Sequence, residues 1–587
     1  MLENGIELDS PWPPTRRELP DARCLGKHVA PTSYREPRVL ERLRRRCLWR
    51  RQRPPYLRSP PPVVRIGTKR QLFVDSFLIA RGTSSNASRF ARRWHTPRLV
   101  SDAPILPTGE SRRGRKHGDV AIAYPGGLIY SAERGRWLLW YQSKLHLQLS
   151  LASSADLRSW TLHGTVHNVS CVKSLNSERE MRRASHEEGD ERCLLEDAQT
   201  VATADGKEFF LFVTRWPARK NPGELYRSTD GLSWRFHRFT GPVEDRSSFW
   251  WNPWRRVWVF NLRLDFWGWM RTQRYFETDD VGFRSDQALD WQLPSVAAGP
   301  VCAANVPPSV WEEHCVSRQR QPMKMPAAWV YPDAADQVDH PNFDASLLNE
   351  GDQPPPRNIR MEKRVTDVYA LDVVPYESVF VGLVGLWEGG QLDYMKRLRV
   401  HAAFSRDGFH FVRPRQPADG SGAAPLMGYH ESPRHGVYRD VQPVAGGVVA
   451  HGDETLLLCT KRSRAAFGTF LYSLRRDGFA SMESAASGAP SVLRTVPLLV
   501  EHPRLHVNVD ASLGGSLRVG VLAADGKVLV RSEKCDEIRA NSTDVAVTWG
   551  GGRTLAAVLP LKLPATVRLE FVARGRVALY SFWVGES

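Results

Sequence analysis

A short turn recurs along this chain. It reads YRSTDGLSW at residues 226–234, SADLRSW at 154–160, SRDGFHF at 405–411 and, more loosely, SLRRDGF at 473–479 and YFETDDVGF at 275–283. The shared core is Ser/Thr-x-Asp, then Gly or a substitute, then an aromatic residue. Asp accepts hydrogen bonds from backbone N–H groups of its own loop, and Gly supplies a positive φ. The aromatic residue then opens a strand. Asp156, Asp230 and Asp407 are therefore expected to fasten turns rather than to do chemistry.

Each turn follows an apolar run. The runs are RWLLWYQS at 136–143, EFFLFVTRW at 208–216, VWVFNLRL at 257–264, SVFVGLVGLW at 378–387 and TLLLCTK at 455–461. They are rich in β-branched and aromatic residues and bounded by Gly, Asn, Asp and Pro, which is the pattern of strands. A clear turn precedes each run except the fourth. Five units of strand, strand, strand, marker turn, strand predict an all-β chain, and repetition of a multi-strand unit predicts a β-propeller with one blade per unit. Marker Asp residues lie 74 apart between Asp156 and Asp230 and 70 apart between Asp407 and Asp477. The wider interval from Asp280 to Asp407 holds a Pro-, Ala- and Asp-rich stretch at 286–362, read as a loop insertion. From 491 onward the alternating strands LHVNVD, SLRVGVLAADGKVL and VALYSFWVG lack the marker and predict a β-sandwich.

The chain has 587 residues and a formal charge of +17. Residues 1–66 hold fifteen Lys/Arg against seven Asp/Glu, concentrated in RVLERLRRRCLWRRQR at 38–53. That arm is expected to be loosely structured. The rest carries only +9 over some 520 residues, which calls for no nucleic-acid partner. No apolar run is long enough to span a membrane, and the first ten residues lack the apolar core of a secretory signal. The eight Cys form no C-x-x-C pair, and a disulfide between Cys302 and Cys315 is left open by the sequence. Asn86, Asn168 and Asn541 head glycosylation sequons.

These strings carry a resemblance. SADLRSW is similar to the Ser-x-Asp-Leu-x-x-Trp strings of glycoside hydrolase families 32 and 43, which are five-bladed propellers, and the Gly-containing form resembles the Asp box of six-bladed sialidases. Over about 500 residues, QLFVDSFLI at 71–79, DRSSFWWNPWRRVWVFNLR at 245–263, Tyr376-Glu377-Ser378, FSRDGFHF at 404–411 and LHVNVDASLGGSLRVGVLAADGK at 505–527 resemble bacterial proteins described as glycosyl hydrolase family 32 N-terminal-like. The resemblance implies a five-bladed β-propeller over 67–490, a β-sandwich over 491–587, and hydrolysis of a glycosidic bond in an oligo- or polysaccharide. The Trp-x-Asn-Asp-Pro-Asn-Gly and Arg-Asp-Pro strings of the invertase-like enzymes are absent.

Site residues are therefore assigned by position, just before each blade's innermost strand. Acidic residues recur there: Asp119, Glu196 and Asp197, Asp245 with Arg246, Glu377, and Asp440 with Arg439. Glycoside hydrolysis needs two carboxyl groups flanking the bond. The resembling enzymes place an acidic nucleophile or base in the first blade, a helper Asp in the third and an acid Glu in the fourth, so the resemblance implies Asp119, Asp245 and Glu377 as the catalytic candidates. Asp197, Arg246 and Asp440 are candidate sugar ligands, and Trp267 and Trp269 in DFWGWM are candidate rim aromatics. Asp75 is a rival for Asp119, read as a strand-end residue. His117, His430 and His435 lack metal-ligand spacing, so neither metal nor cofactor is expected. A non-catalytic carbohydrate-binding propeller is the alternative function. A sialidase-like enzyme is a weaker one and would want an Arg cluster and a Tyr/Glu pair.

Overall fold

The computed structural model describes residues 2–8, 12, 54–80, 88–106, 119–144, 148–167, 195–203, 206–215, 222–266, 270–285, 287–291, 329–330, 367–388, 397–414, 439–462, 467–485, 489–560 and 562–586. Trp267, Trp269, Cys302, Cys315, Asn86, Asn168, the basic run 38–53 and most of 286–362 lie outside them. So do the side chains of Asp119, Asp197 and Asp440. The described fold is nearly all β. Helix is confined to single turns such as Pro55–Arg58 and Leu555–Val558. No helix among the described residues is long and apolar enough to cross a membrane.

Five antiparallel meanders follow one another along the chain. The first joins Asp119–Ser131, Arg136–Lys144, Gln148–Ser154 and Thr161–Thr165; the second joins Leu195–Ala202, Phe209–Arg215, Pro222–Ser228 and Arg235–Pro242. The third joins Ser248–Asn252, Val257–Phe266 and Met270–Thr278, and the fourth joins Asp367–Tyr376, Val379–Glu388 and Arg397–Ser405. The fifth joins Arg439–His451, Glu454–Arg462 and Phe467–Arg475, and the early strand Arg98–Leu99 pairs antiparallel with its last member. The apolar runs seen in the sequence are the second strands. Phe209–Arg215 is buried at every position, because neighbouring meanders cover both of its faces.

The first strands lie beside one another in order, and the fifth returns to the first. Gln199 ties the second to the third: its Nε2 donates to Phe249 O and its Oε1 accepts from Phe249 N. Ser248 Oγ and Asn261 Nδ2 both donate to Leu371 O of the fourth. Between fifth and first, Thr460 Oγ1 donates to Ala123 O, and Gly446 lies so close to Leu128 that a Cβ there would sit 2.4 Å from its carbonyl oxygen.

Two further sheets enclose one apolar core containing Phe73, Val519, Leu569, Phe571 and Phe582. Ala565–Arg574 shows the pattern that builds it: Ala565, Val567, Leu569, Phe571 and Ala573 are buried while their neighbours are not. These sheets also recruit early chain. Val64–Arg65 pairs with Leu498–Val500, Gln71–Leu72 with Ala578–Gly585, and Ala91–Trp94 with Ala480–Glu483. Parts of the expected loose arm are packed too. A turn closed by Leu2 N donating to Ile6 O buries Leu2 and Ile6 in the same core, and Asn4 Nδ2 donates to Arg406 O. These apolar residues outweigh the arm's charge because they find an apolar surface to cover. Within the expected insertion, Leu289 and Trp291 pack with Phe260, and Trp329 Nε1 donates to Phe409 O.

The marker turns take one geometry three times. Asp156 Oδ1 accepts from the N–H groups of Arg158 and Ser159, Asp230 Oδ1 from Leu232 and Ser233, and Asp407 Oδ1 from Phe409 and His410. The next residue has positive φ each time: Leu157 at 63°, Gly231 at 73°, Gly408 at 78°. Each Gly form abuts the preceding meander. Trp140 Nε1 donates to Gly231 O, and Gly408 faces Asn252 and Trp250.

Backbone donors at Ser159 and Arg158 hold the Asp156 carboxyl down at about 2. At Asp230 burial pushes upward, but the N–H groups of Ser233 and Leu232 offset it and leave the group at about 2. Folded values below the ordinary 3.8 mean that the stabilisation is present above that value and is lost as pH falls toward 2. The double variant Asp156→Asn/Asp230→Asn is expected to melt below the wild type at pH 6. The gap should close between about pH 4 and pH 2, as read by thermal unfolding across pH.

Candidate functional site

Residues 244–247 turn the chain into the first strand of the third meander. Ser247 N donates to Glu244 O at 3.3 Å, and Arg246 adopts φ 62°. A branched-out side chain at positive φ costs energy that the surroundings must repay. The second strand of the same meander brings Arg263 to this turn, because the register Ser248↔Asn261 carries it past the end of the first strand. Arg263 N donates to Ser247 Oγ, and its Nη2 lies 2.5 Å from both Glu244 Oε2 and Asp245 Oδ1. From the fourth meander Tyr369 OH donates to Asp245 Oδ2 at 2.8 Å. One guanidinium and one phenol thus fix both oxygens of a carboxylate that keeps 16% of its side-chain surface exposed, while Arg263 keeps 4%. Trp387 packs edge-on against Tyr369, with ring centroids 4.7 Å apart.

The backbones of Asp119, Asp197 and Asp440 lie within the first three residues of the first strands of meanders one, two and five. The first strands of meanders one and two pair parallel at Gln199↔Gly126, so the openings that carry Asp119 and Asp197 share one end. Arg246 is buried, and its described ion pair is with Asp372 of the fourth meander at 3.8 Å, so it is sealed among the first strands rather than presented as an open sugar ligand.

Glu377 is elsewhere. It occupies the two-residue hairpin turn between Asp367–Tyr376 and Val379–Glu388, at φ 49°. Tyr369, which touches Asp245, and Tyr376, which precedes Glu377, are seven residues apart on one strand, about 23 Å at the rise of an extended chain. Carboxyl groups that flank one glycosidic bond lie about 5–9.5 Å apart, so Asp245 and Glu377 do not form such a pair. Glu377 instead accepts from Arg70 N and Arg476 Nη2, both at 3.0 Å. Beside it, buried Asp477 accepts from Tyr376 OH, Arg70 Nη1, Asn508 Nδ2 and Ser581 Oγ. This network joins the meanders to the two-sheet region. The residue that opens the fourth meander's first strand is Asp367. Asp75 is a structural residue: its two oxygens receive the buried Arg406 guanidinium at 3.0 and 3.1 Å.

Sequence reasoning missed Glu244, Arg263 and Tyr369. Arg263 had a signal. In VWVFNLRL two polar residues, Asn261 and Arg263, interrupt a strand buried on both faces, and buried polar groups demand partners. A Tyr/Glu/Arg grouping does exist in the second meander, where Tyr226 OH donates to Glu224 Oε2 at 2.6 Å and Arg215 pairs with the same carboxylate. Burial, then the Glu224 carboxylate, pushes the Tyr226 phenol up to about 12, the opposite of what a nucleophilic phenolate requires. Among the described residues no group of three or more His, Cys, Asp or Glu has the arrangement of a metal site.

No protein-family model matches the chain, and no curated protein matches it. Solved structures do. A thermostable family-43 glycoside hydrolase shares 9% identity over 64% of this chain and 95% of its own, with a TM-score of 0.34. An exo-1,5-alpha-L-arabinanase from a bovine ruminal metagenomic library shares 8% over 62% and 95%, with a TM-score of 0.33. An N-acetylgalactosamine deacetylase from F. plautii, solved with blood group B trisaccharide, shares 10% over 82% and 95%, with a TM-score of 0.35. Similarity at this level carries no argument about activity.

Proposed function

We propose that the five meanders are the blades of a β-propeller, that the two remaining sheets form a β-sandwich, and that the chain hydrolyses a glycosidic bond where the first strands begin. The observation that supports this reading is the grouping of Glu244, Asp245, Arg263 and Tyr369 at that end of the ring. Arg263 and Tyr369 engage both carboxylate oxygens of Asp245 and fix its orientation. Asp119 and Asp367, which open the first strands of the first and fourth meanders, supply the remaining carboxyl groups, and Asp367 takes the place first assigned to Glu377. One carboxyl protonates the leaving oxygen and another attacks or activates water. Asp245 serves as a positioned carboxylate that orients the sugar in this reading. Asp197, Asp440, Trp267 and Trp269 hold the sugar in this reading.

A binding-only propeller is favoured by one feature: both oxygens of Asp245 are already engaged. Turnover separates the two readings. Against a panel of arabino-, xylo-, galacto- and fructo-oligosaccharides, wild type is expected to release reducing sugar. Asp245→Asn is expected to lose about 100-fold or more of that rate, the scale for removing a preorganised polar group from an active site. No hydrolysis of any member, or an unchanged Asp245→Asn rate, contradicts the hydrolase reading.

Glu377→Gln is expected to act on stability instead. Losing a charge-assisted contact to Arg476 and Arg70 N should cost about 1–2 kcal/mol in chemical unfolding, with hydrolysis unchanged. A large loss of activity at unchanged stability would return Glu377 to the site.

A further inference from the structure

The end of the ring away from Asp245 holds a second feature. The hairpin turn at Asp453 and the strand Phe467–Arg475 of the fifth meander face Asn541–Val547 and Tyr580 of the two-sheet region across a cleft of about 550 Å³. His95 and Arg98 lie along its wall. The charges on this wall balance in sign, with Arg98 and Arg475 against Asp453 and Glu454, and most of their polar atoms are hydrogen-bonded. Arg475 donates to Asn541 Oδ1 at 2.6 Å, to Asn508 Oδ1 at 2.7 Å and to Val509 O. Glu454 accepts from Ser473 Oγ and pairs with Arg158 and Arg98. Thr543 Oγ1 donates to Asp453 Oδ1.

Three polar groups on the wall have no bonding partner among the described residues: Asn541 Nδ2, Tyr580 OH and Asp453 Oδ2. Together they offer an amide donor, a hydroxyl and a carboxylate acceptor beside an aromatic ring. Arg475 stacks on that ring at 4.9 Å and His95 tilts against it at 5.5 Å, so the ring is held in place. A ligand with an excess charge gains little from a wall whose charges balance, and an apolar ligand meets few apolar side chains. A neutral polyol suits it, since vicinal hydroxyls both donate and accept.

We propose that this cleft is a carbohydrate-binding subsite for neutral oligosaccharides, separate from the Asp245 end and without catalytic function. It does not rest on the hydrolase reading. It needs only that a sugar chain meets the protein, and it would anchor that chain on the junction between the two regions.

Calorimetric titration of the full chain carrying Asp245→Asn with neutral arabino-, xylo- and galacto-oligosaccharides tests it. Saturable binding at about millimolar concentration is expected. Tyr580→Phe and Asn541→Asp each remove one open donor while keeping the ring and the Arg475 contact, and each is expected to weaken binding about tenfold. Thermal unfolding of both variants should match the parent, and if one does not, the other carries the test. Binding unchanged in both folded variants, binding by uronate-containing chains with none by neutral ones, or no binding at all overturns the proposal. Hydrolysis by the wild type is read separately, so its failure leaves this result intact.

Discussion

The fold depends on closing a ring of strands whose ends are far apart in sequence. Arg98–Leu99 precedes the first meander yet completes the last, pairing Tyr472↔Leu99 and Ser473↔Arg98. The first strand of meander one meets the second and third strands of meander five, whose Thr460 and Thr469 hydroxyls satisfy the backbone C=O and N–H of Ala123. Closing so long a loop is costly in chain entropy, though the cost grows only slowly with length. Each meander gains by burying both faces against its neighbours, and an open end would leave a sheet face and an edge in water. Packing between meanders is therefore cooperative, and the marker turns contribute by seating each meander on the one before it.

Closure also explains the distribution of charge. One end of the strands gathers acids at the first residues of successive strands. The other is occupied by turns and by the junction with the two-sheet region, where Asp75–Arg406 and Asp477–Arg70 are buried ion pairs. Buried pairs of this kind cost much desolvation energy and hold geometry more than they add stability. Asp477 meets Arg70, Tyr376, Asn508 and Ser581 from four separate segments. That end of the molecule is given over to holding the two regions in register.

Much of this was legible in the sequence, and the places where reading failed have physical causes. The marker turns could be read because Asp and a positive-φ residue leave a compositional trace. The second strands could be read because they are buried on both faces and so continuously apolar. The first strands are shorter or more polar, with Gln199, Ser248, Asp372 and Gln442 among the apolar residues. Glu377 was misplaced for this reason. The hairpin before Val379 turns on Glu377 at positive φ, where Gly or Asn usually signals a turn. With that signal missing, Asp367–Tyr376 was not recognised as the first strand of its unit. Arg246 was adjacent to Asp245 in sequence, but strand register hands that carboxylate to Arg263, fifteen residues beyond the strand's start at Ser248. Tyr369 comes from a different meander altogether, and no local pattern announces such a partner.

The central claim is that function resides where the first strands begin, around Asp245. The most direct measurement is a crystal structure of Asp245→Asn bound to an oligosaccharide turned over by the wild type. The sugar is expected beside Tyr369 and Trp387, with its scissile bond within reach of the Asp119 and Asp367 carboxyl groups and with Glu377 far away. A sugar whose scissile bond lies against Glu377 or Asp477, at the opposite end of the strands, would contradict it.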